Sequence, residues 1–293
     1  MHTVRQPAVA GSFYPASGPV LSRTVSGLLA TAGADIDCAA AAPKALIVPH
    51  AGYIYSGATA ALAYAQLAAV QHSIRRVVLL GPVHRVAVRG LALAGAAAFA
   101  TPLGSIELDQ GAIAALSGLR QVVLSPAAHA LEHSLEVQLP FLQTMLDEFR
   151  LVPLAVGDAT PAEVAQVLEV LWGGPETLIV ISSDLSHFLP YRAAQSVDSE
   201  TVRRVLALDG PVSHEQACGG TPINGLLLAA RQHHLQPRLL GLCNSGDTAG
   251  DKGRVVGYAA IAFTADPHER SAGPPQASSH RSPSGRRYSN DVQ

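Results

Sequence analysis

Short apolar runs of strand type stand at 45–48, 77–80, 151–156 and 178–181, and stretches with helical spacing separate them. The helical stretches cover 20–29, 57–70, 109–116, 134–149, 161–171, about 191–208 and 221–233. Two of them carry start signals: Thr160 before Pro161, and Thr221 before Pro222. A short strand is expected at 91–93 before a run of small residues at 94–100, and a long one at 254–263 closes the sheet. Because the central runs are continuously apolar rather than alternating, they predict strands covered on both faces, as in a parallel sheet. The expected fold is therefore α/β, a single domain over residues 1–265 with a central, mostly parallel mixed sheet flanked by helices. From 266 onward the only large apolar residues are Tyr288 and Val292 among Pro, Ser, Gly, Arg and His, so 266–293 is expected to be a disordered tail.

Three of the strand-type runs are followed within a few residues by a histidine: His50, His84 and His187. Parallel strands of an open sheet point the same way, so residues just past their carboxyl ends converge on one crevice. With Asp184 in the Ser182-Ser183-Asp184-Leu185-Ser186-His187 segment, the pattern predicts a metal pocket or an acid/base pocket with several imidazoles. Asp184 and His187, three residues apart, would share one side of a helical turn, with the carboxylate orienting the ring. The plainer reading is a helix cap by Ser183 or Asp184. For His50 and His84 the plainer reading is a hydrogen-bonding residue at a turn.

Elsewhere the chemistry is less specific. His133 and Glu136 lie at i, i+3 in a stretch that either lines the same crevice or forms a solvated helix face, and the second histidine of a His-Glu-x-x-His zinc helix is missing. Cys218 precedes Gly219-Gly220-Thr221-Pro222, so its sulfur is expected beside a helix N-terminus that would favour thiolate; a buried, inert cysteine is the alternative. Cys243 reads as an incidental thiol in a turn. Three widely spaced cysteines without a Cys-x-x-Cys pair argue against a disulfide framework or a zinc ribbon.

Composition narrows the partners. A formal charge of −2 with no long charge runs provides no basic face for nucleic acid. No apolar stretch approaches the ~18 residues of a membrane span, and the N-terminus lacks the charged start and apolar core of a signal peptide, so a cytoplasmic location is expected.

Six segments in order complete the picture: Arg5-Gln6-Pro7-Ala8-Val9-Ala10-Gly11-Ser12-Phe13-Tyr14, Pro49-His50-Ala51-Gly52-Tyr53, Gly81-Pro82-Val83-His84, Glu132-His133-Ser134-Leu135-Glu136-Val137-Gln138-Leu139-Pro140, Ser182 to His187, and Cys218-Gly219-Gly220-Thr221-Pro222-Ile223. Together, over about residues 4–263, they resemble the Memo family, whose bacterial and archaeal members are called AmmeMemoRadiSam system protein B. That family in turn resembles the class III extradiol (LigB-like) dioxygenases, which use non-haem Fe(II). The resemblance implies His50, His84 and Cys218 as metal ligands, Asp184 and His187 as further residues lining the site, and a supporting role for His133 and Glu136. Fe(II) or copper is the implied metal, with zinc as the alternative. Where the dioxygenases have a carboxylate this chain has a thiol, which changes the metal's charge and potential and suits copper as well as iron.

The function expected on these grounds is a metal-binding redox protein of dioxygenase-like type, with His187 exchanging a proton and Asp184 orienting it. By resemblance, it would act with a radical SAM protein and an AMMECR-type protein on an unidentified small molecule or peptide. Two other classes remain: a binding module without turnover that grips a peptide or partner, and a zinc hydrolase using Asp184 or Glu136 as base.

Overall fold

The structure is a computed structural model and describes residues 3–34 and 41–265. Cys38 and the expected tail at 266–293 lie outside the described residues. Eight strands form one path in the main sheet: β10 (His187–Leu189), β12 (Val255–Ala265), β2 (Pro43–Val48), β9 (Thr177–Ser182), β3 (Arg76–Pro82), β8 (Arg150–Val156), β4 (Leu91–Leu93) and β7 (Val122–Leu124). A ninth, β11 (Leu235–Asn244), pairs with β12. The central four, β2-β9-β3-β8, are parallel, and β12 and β4 run antiparallel to their neighbours β2 and β8.

The apolar runs are continuous because each strand feeds two cores. In β3, Val77 and Leu79 pack on one face while Val78 and Leu80 pack on the other; Leu178 and Val180 of β9 alternate with Ile179 and Ile181 in the same way. The first core takes side chains from α1 (Gly18–Gly33), α2 (Tyr53–Ala65) and α5 (Leu139–Met145), the second from α6 (Pro161–Leu171), α7 (Tyr191–Leu206) and α8 (Gly220–Gln232). Helices on both faces are what shield such a sheet from water. No helix among the described residues is long and apolar enough to cross a membrane.

The Thr160 start signal is present as a full capping box with Glu163. Other expectations shift. The stretch at 134–149 is not one helix but a turn, a 3-10 turn at Glu136–Gln138 and then α5, with Pro140 in its first turn. Cys243 sits near the end of β11, paired with Tyr258, and not in a turn. The small-residue run at 94–100 feeds a separate three-stranded sheet of β1 (Val4–Arg5), β5 (Ala98–Thr101) and β6 (Gly104–Glu107). Two further short helices are α3 (Gln110–Ala115) and α4 (Pro126–Ala130).

Candidate metal centre

At the carboxyl ends of the central strands the chain turns sharply, and β2 and β3 deliver His50 and His84 to one place: their ring centroids are 5.3 Å apart. A third ring joins them from the segment between α4 and α5. His133 stacks on His84 at 4.7 Å and meets His50 edge-on at 5.5 Å. This approach requires Gly81, because a Cβ there would lie 2.8 Å from Ser134 Oγ and 3.0 Å from Leu135. One nitrogen from each of His50, His84 and His133 lies within 4.8 Å of the other two.

The tautomers follow from the partners. Ser182 Oγ has one proton, which it donates to the Ser134 carbonyl at 2.6 Å, so it accepts from Gln138 Nε2 at 2.8 Å and from His50 Nδ1–H at 2.9 Å. Nε2 of His50 therefore carries the lone pair. Glu132 does the same for His84: its carboxylate accepts from the His84 ring Nδ1 at 2.8 Å and from the His84 backbone N–H at 2.6 Å. It also accepts from the backbone N–H groups of His133 and Ser134, both at 2.9 Å. Burial pushes the Glu132 carboxyl up, but the hydrogen bond and charge of His84 and the backbone donors outweigh it and bring the group down to about 2. Burial drives His50 far below the ordinary histidine value and His133 down to about 4, with the neighbouring rings acting in the same direction. Neutral imidazoles held in one tautomer by a carboxylate or hydroxyl are the usual form of histidine ligands.

Cys218 reaches the same place from the loop before α8. Its Sγ lies 3.4 Å from His50 Nε2, with Ser183 Oγ at 3.8 Å. Gly219 permits this, since a Cβ there would meet Ser183 Cβ at 2.6 Å. The expected thiolate does not follow from the helix terminus: burial, reinforced by the charge of Asp184, pushes the thiol up to about 12, and its one S–H faces the bare Nε2 of His50 at 3.4 Å, with the Asp184 carbonyl farther off at 3.7 Å. The His50–Cys218 separation fits a shared ion, although the sulfur stands outside the 4.8 Å cluster of the three imidazole nitrogens. Zn–N and Zn–S bonds of about 2.0 and 2.3 Å at a tetrahedral angle set N and S about 3.5 Å apart, close to the 3.4 Å between Cys218 and His50.

Asp184 and His187 do not form the expected pair on a helical turn. Residues 183–186 are irregular and His187 opens β10, with the next helix beginning at Tyr191. Asp184 is buried and accepts from the backbone N–H of His50 at 2.7 Å, so it holds the His50 loop instead of the His187 ring. Burial raises its carboxyl to about 7 against those backbone donors. His187, half-buried, is held below the ordinary histidine value first by burial and also by the field of His84. Glu136 lies away from the crevice. Fully buried, it pairs with Arg5 and accepts from Tyr14 O–H, from Ala8 N–H at 2.7 Å and from Val9 N–H at 3.0 Å, which pins the N-terminal segment to the body. His133 belongs to the centre and Glu136 to the scaffold, although they stand three residues apart.

The sequence pattern marks no role for Glu132, Gln138 or Ser182. Glu132 stands beside His133, but nothing local marks it as a partner of His84, 48 residues away. Gln138 is oriented in turn by Tyr64 O–H at 2.8 Å and donates to the Pro49 carbonyl at 2.9 Å, contacts that only folding creates.

The Memo family model, described as Memo-like protein, matches residues 5–262. A MEMO1 family protein of Ignicoccus hospitalis is 35% identical over 281 residues, covering 89% of this chain and 98% of that protein. One of Metallosphaera sedula is 32% identical over 283 residues, covering 89% and 99%. Among solved structures, an uncharacterized protein of Escherichia coli K12 overlaps with a TM-score of 0.45 at 16% identity, covering 74% of this chain and 98% of that one.

Proposed function

The chain belongs to the Memo family, and from that premise we propose that it is a mononuclear metal protein of redox type. His50, His84 and His133 would supply imidazole nitrogens to the ion and Cys218 a sulfur. One observation carries the reading: three imidazoles, those of His50 and His84 oriented by Ser182 and Glu132, present their nitrogens within 4.8 Å of one another. Imidazole donors suit iron, copper and zinc alike, whereas a soft sulfur beside them favours Cu(I), iron or zinc over hard cations. Iron or copper is the reading preferred here, and such an ion supplies one-electron and oxygen chemistry when bound.

The chain's own residues then divide the remaining work. Ser182 and Glu132 keep the imidazole protons on the outer nitrogens, and Asp184 holds the His50 loop against β9. His187 is neutral at pH 7 and half-buried, so it is suited to accept a proton from a molecule in the crevice. A hydrolase reading loses support, because Glu136 is consumed by Arg5 and Asp184 by the His50 backbone. Partnership with a radical SAM protein and an AMMECR-type protein is part of the proposal and follows from the family system.

Anaerobic purification followed by elemental analysis tests the reading. One iron or copper per chain, lost in His84→Ala and His133→Ala and reduced in Cys218→Ala, is the expected result. Tight zinc insensitive to Cys218→Ala, or no metal at all, overturns it.

A further inference from the structure

The three imidazoles of the centre are not held alike. The His50 ring gives its Nδ1–H to Ser182 at 2.9 Å, and the His84 ring bonds Glu132 through Nδ1 at 2.8 Å. No comparable bond reaches the His133 ring. Among the described residues the contact closest to one is Glu132 Oε1, 3.3 Å from His133 Nδ1. That oxygen already accepts from His84 Nδ1 and from the backbone N–H groups of His133 and Ser134, so it has no lone pair left to orient a second ring. What the His133 ring has instead is packing. It lies against two rings, each with its centroid 4.7 Å away: His84, nearly parallel at 25°, and Phe13, tilted at 52°. Two contacts at different tilts fix a ring that a single stack would leave free to slide.

Resting on the metal reading above, we infer that Phe13 is the positioning residue of the third ligand, doing for His133 by packing what Ser182 and Glu132 do for His50 and His84 by hydrogen bonds. Phe13 is itself fixed through its backbone. Its C=O accepts from Tyr53 N–H at 2.8 Å, its N–H donates to Val9 C=O at 2.9 Å, and Gly11, at φ +86°, closes the turn by donating to Tyr14 C=O at 2.7 Å. Tyr53 opens α2 directly after the His50 loop. One residue of the N-terminal segment therefore meets the His50 loop with its carbonyl and the His133 ring with its side chain. Without it, His133 would be free to turn away and the cluster would fall to two imidazoles. A metal ligand supported in this way depends on its support nearly as much as on itself.

The test adds Co(II) to the metal-free full-length protein, because each bound imidazole gives its own hyperfine-shifted ring-proton signals in the proton NMR spectrum. Wild type is expected to count three imidazoles. Phe13→Ala is expected to count two, matching His133→Ala, and to lose about 10- to 100-fold in Co(II) affinity by chelator competition. Phe13→Tyr keeps the ring and is expected to hold both the count and the affinity at the wild-type level. Should Phe13→Ala fail to fold, Phe13→Leu, which keeps apolar bulk without an aromatic ring, takes its place with the same expected count of two. A wild type that counts two imidazoles, an alanine or leucine variant that counts three or loses all of them together, or a Phe13→Tyr variant that behaves like Phe13→Ala overturns the inference. Failure of the metal reading is seen separately, as wild-type protein that is purified without metal and takes up no Co(II).

Discussion

Glu132→Gln should damage the centre more than any neutral isostere normally would. The carboxylate accepts four hydrogen bonds, from the backbone N–H and ring Nδ1 of His84 and from the backbone N–H groups of His133 and Ser134. A glutamine offers one oxygen and one NH₂, so whichever way it turns, the NH₂ faces a donor: the His84 backbone N–H, or the imidazole and two backbone N–H groups. The displacement of the Glu132 carboxyl from its ordinary 4.5 to about 2 corresponds to about 3 kcal/mol at neutral pH. Loss of a comparable carboxylate partner to a histidine ligand lowers metal affinity by about 10- to 100-fold. Competition against a chelator of known affinity measures the second effect and urea denaturation of the metal-free protein the first. The sign with pH is fixed: a depressed carboxyl contributes stability that is present above 4.5 and is lost as pH falls through about 2. The gap between wild type and variant should therefore narrow across that window. Metal affinity within twofold of wild type, or a stability gap that widens toward pH 2, would refute the assignment of Glu132 as the clamp.

Other expectations follow from the same contacts. Glu136→Gln should cost about 3–5 kcal/mol in urea unfolding, because it strands the buried Arg5 guanidinium, yet leave chelator-measured metal affinity close to wild type; the reverse pattern would place Glu136 at the centre after all. Ser182→Ala removes the acceptor of His50 Nδ1–H and Gln138 Nε2 together and should cost about 2–3 kcal/mol, with weaker metal binding seen by the same competition. Metal-free protein should lose stability as pH falls from 6.5 through about 4, since His129 and His133 resist protonation when folded. Each contributes roughly 3 kcal/mol above that window, and a flat profile of urea midpoints from pH 7 to 4 would contradict their burial. Gly257→Ala would set a Cβ 2.0 Å from the Asp198 carboxylate, which holds the Ser186 N–H at 3.0 Å; thermal melting should fall, and an unchanged Tm counts against that packing.

The sequence by itself determined the α/β order, because strands buried on both faces must be apolar at every position and helices on a sheet must be apolar on one stripe. It also determined that His50 and His84 would meet, because both follow strands of one parallel set. It could not separate His133 from Glu136: i, i+3 spacing puts two residues on one side only if the segment is a helix, and here it is a turn. The partners of the His50 and His84 rings, Ser182 and Glu132, stand 132 and 48 residues away, and Gln138 reaches Ser182 across 44; no local pattern encodes such contacts. The ionisation of Cys218 was likewise decided by tertiary structure, since burial of the thiol outweighs the helix terminus beside it. Periodicity records which face of an element is dry; only the packed fold decides which polar groups are shut in together and which proton each must keep.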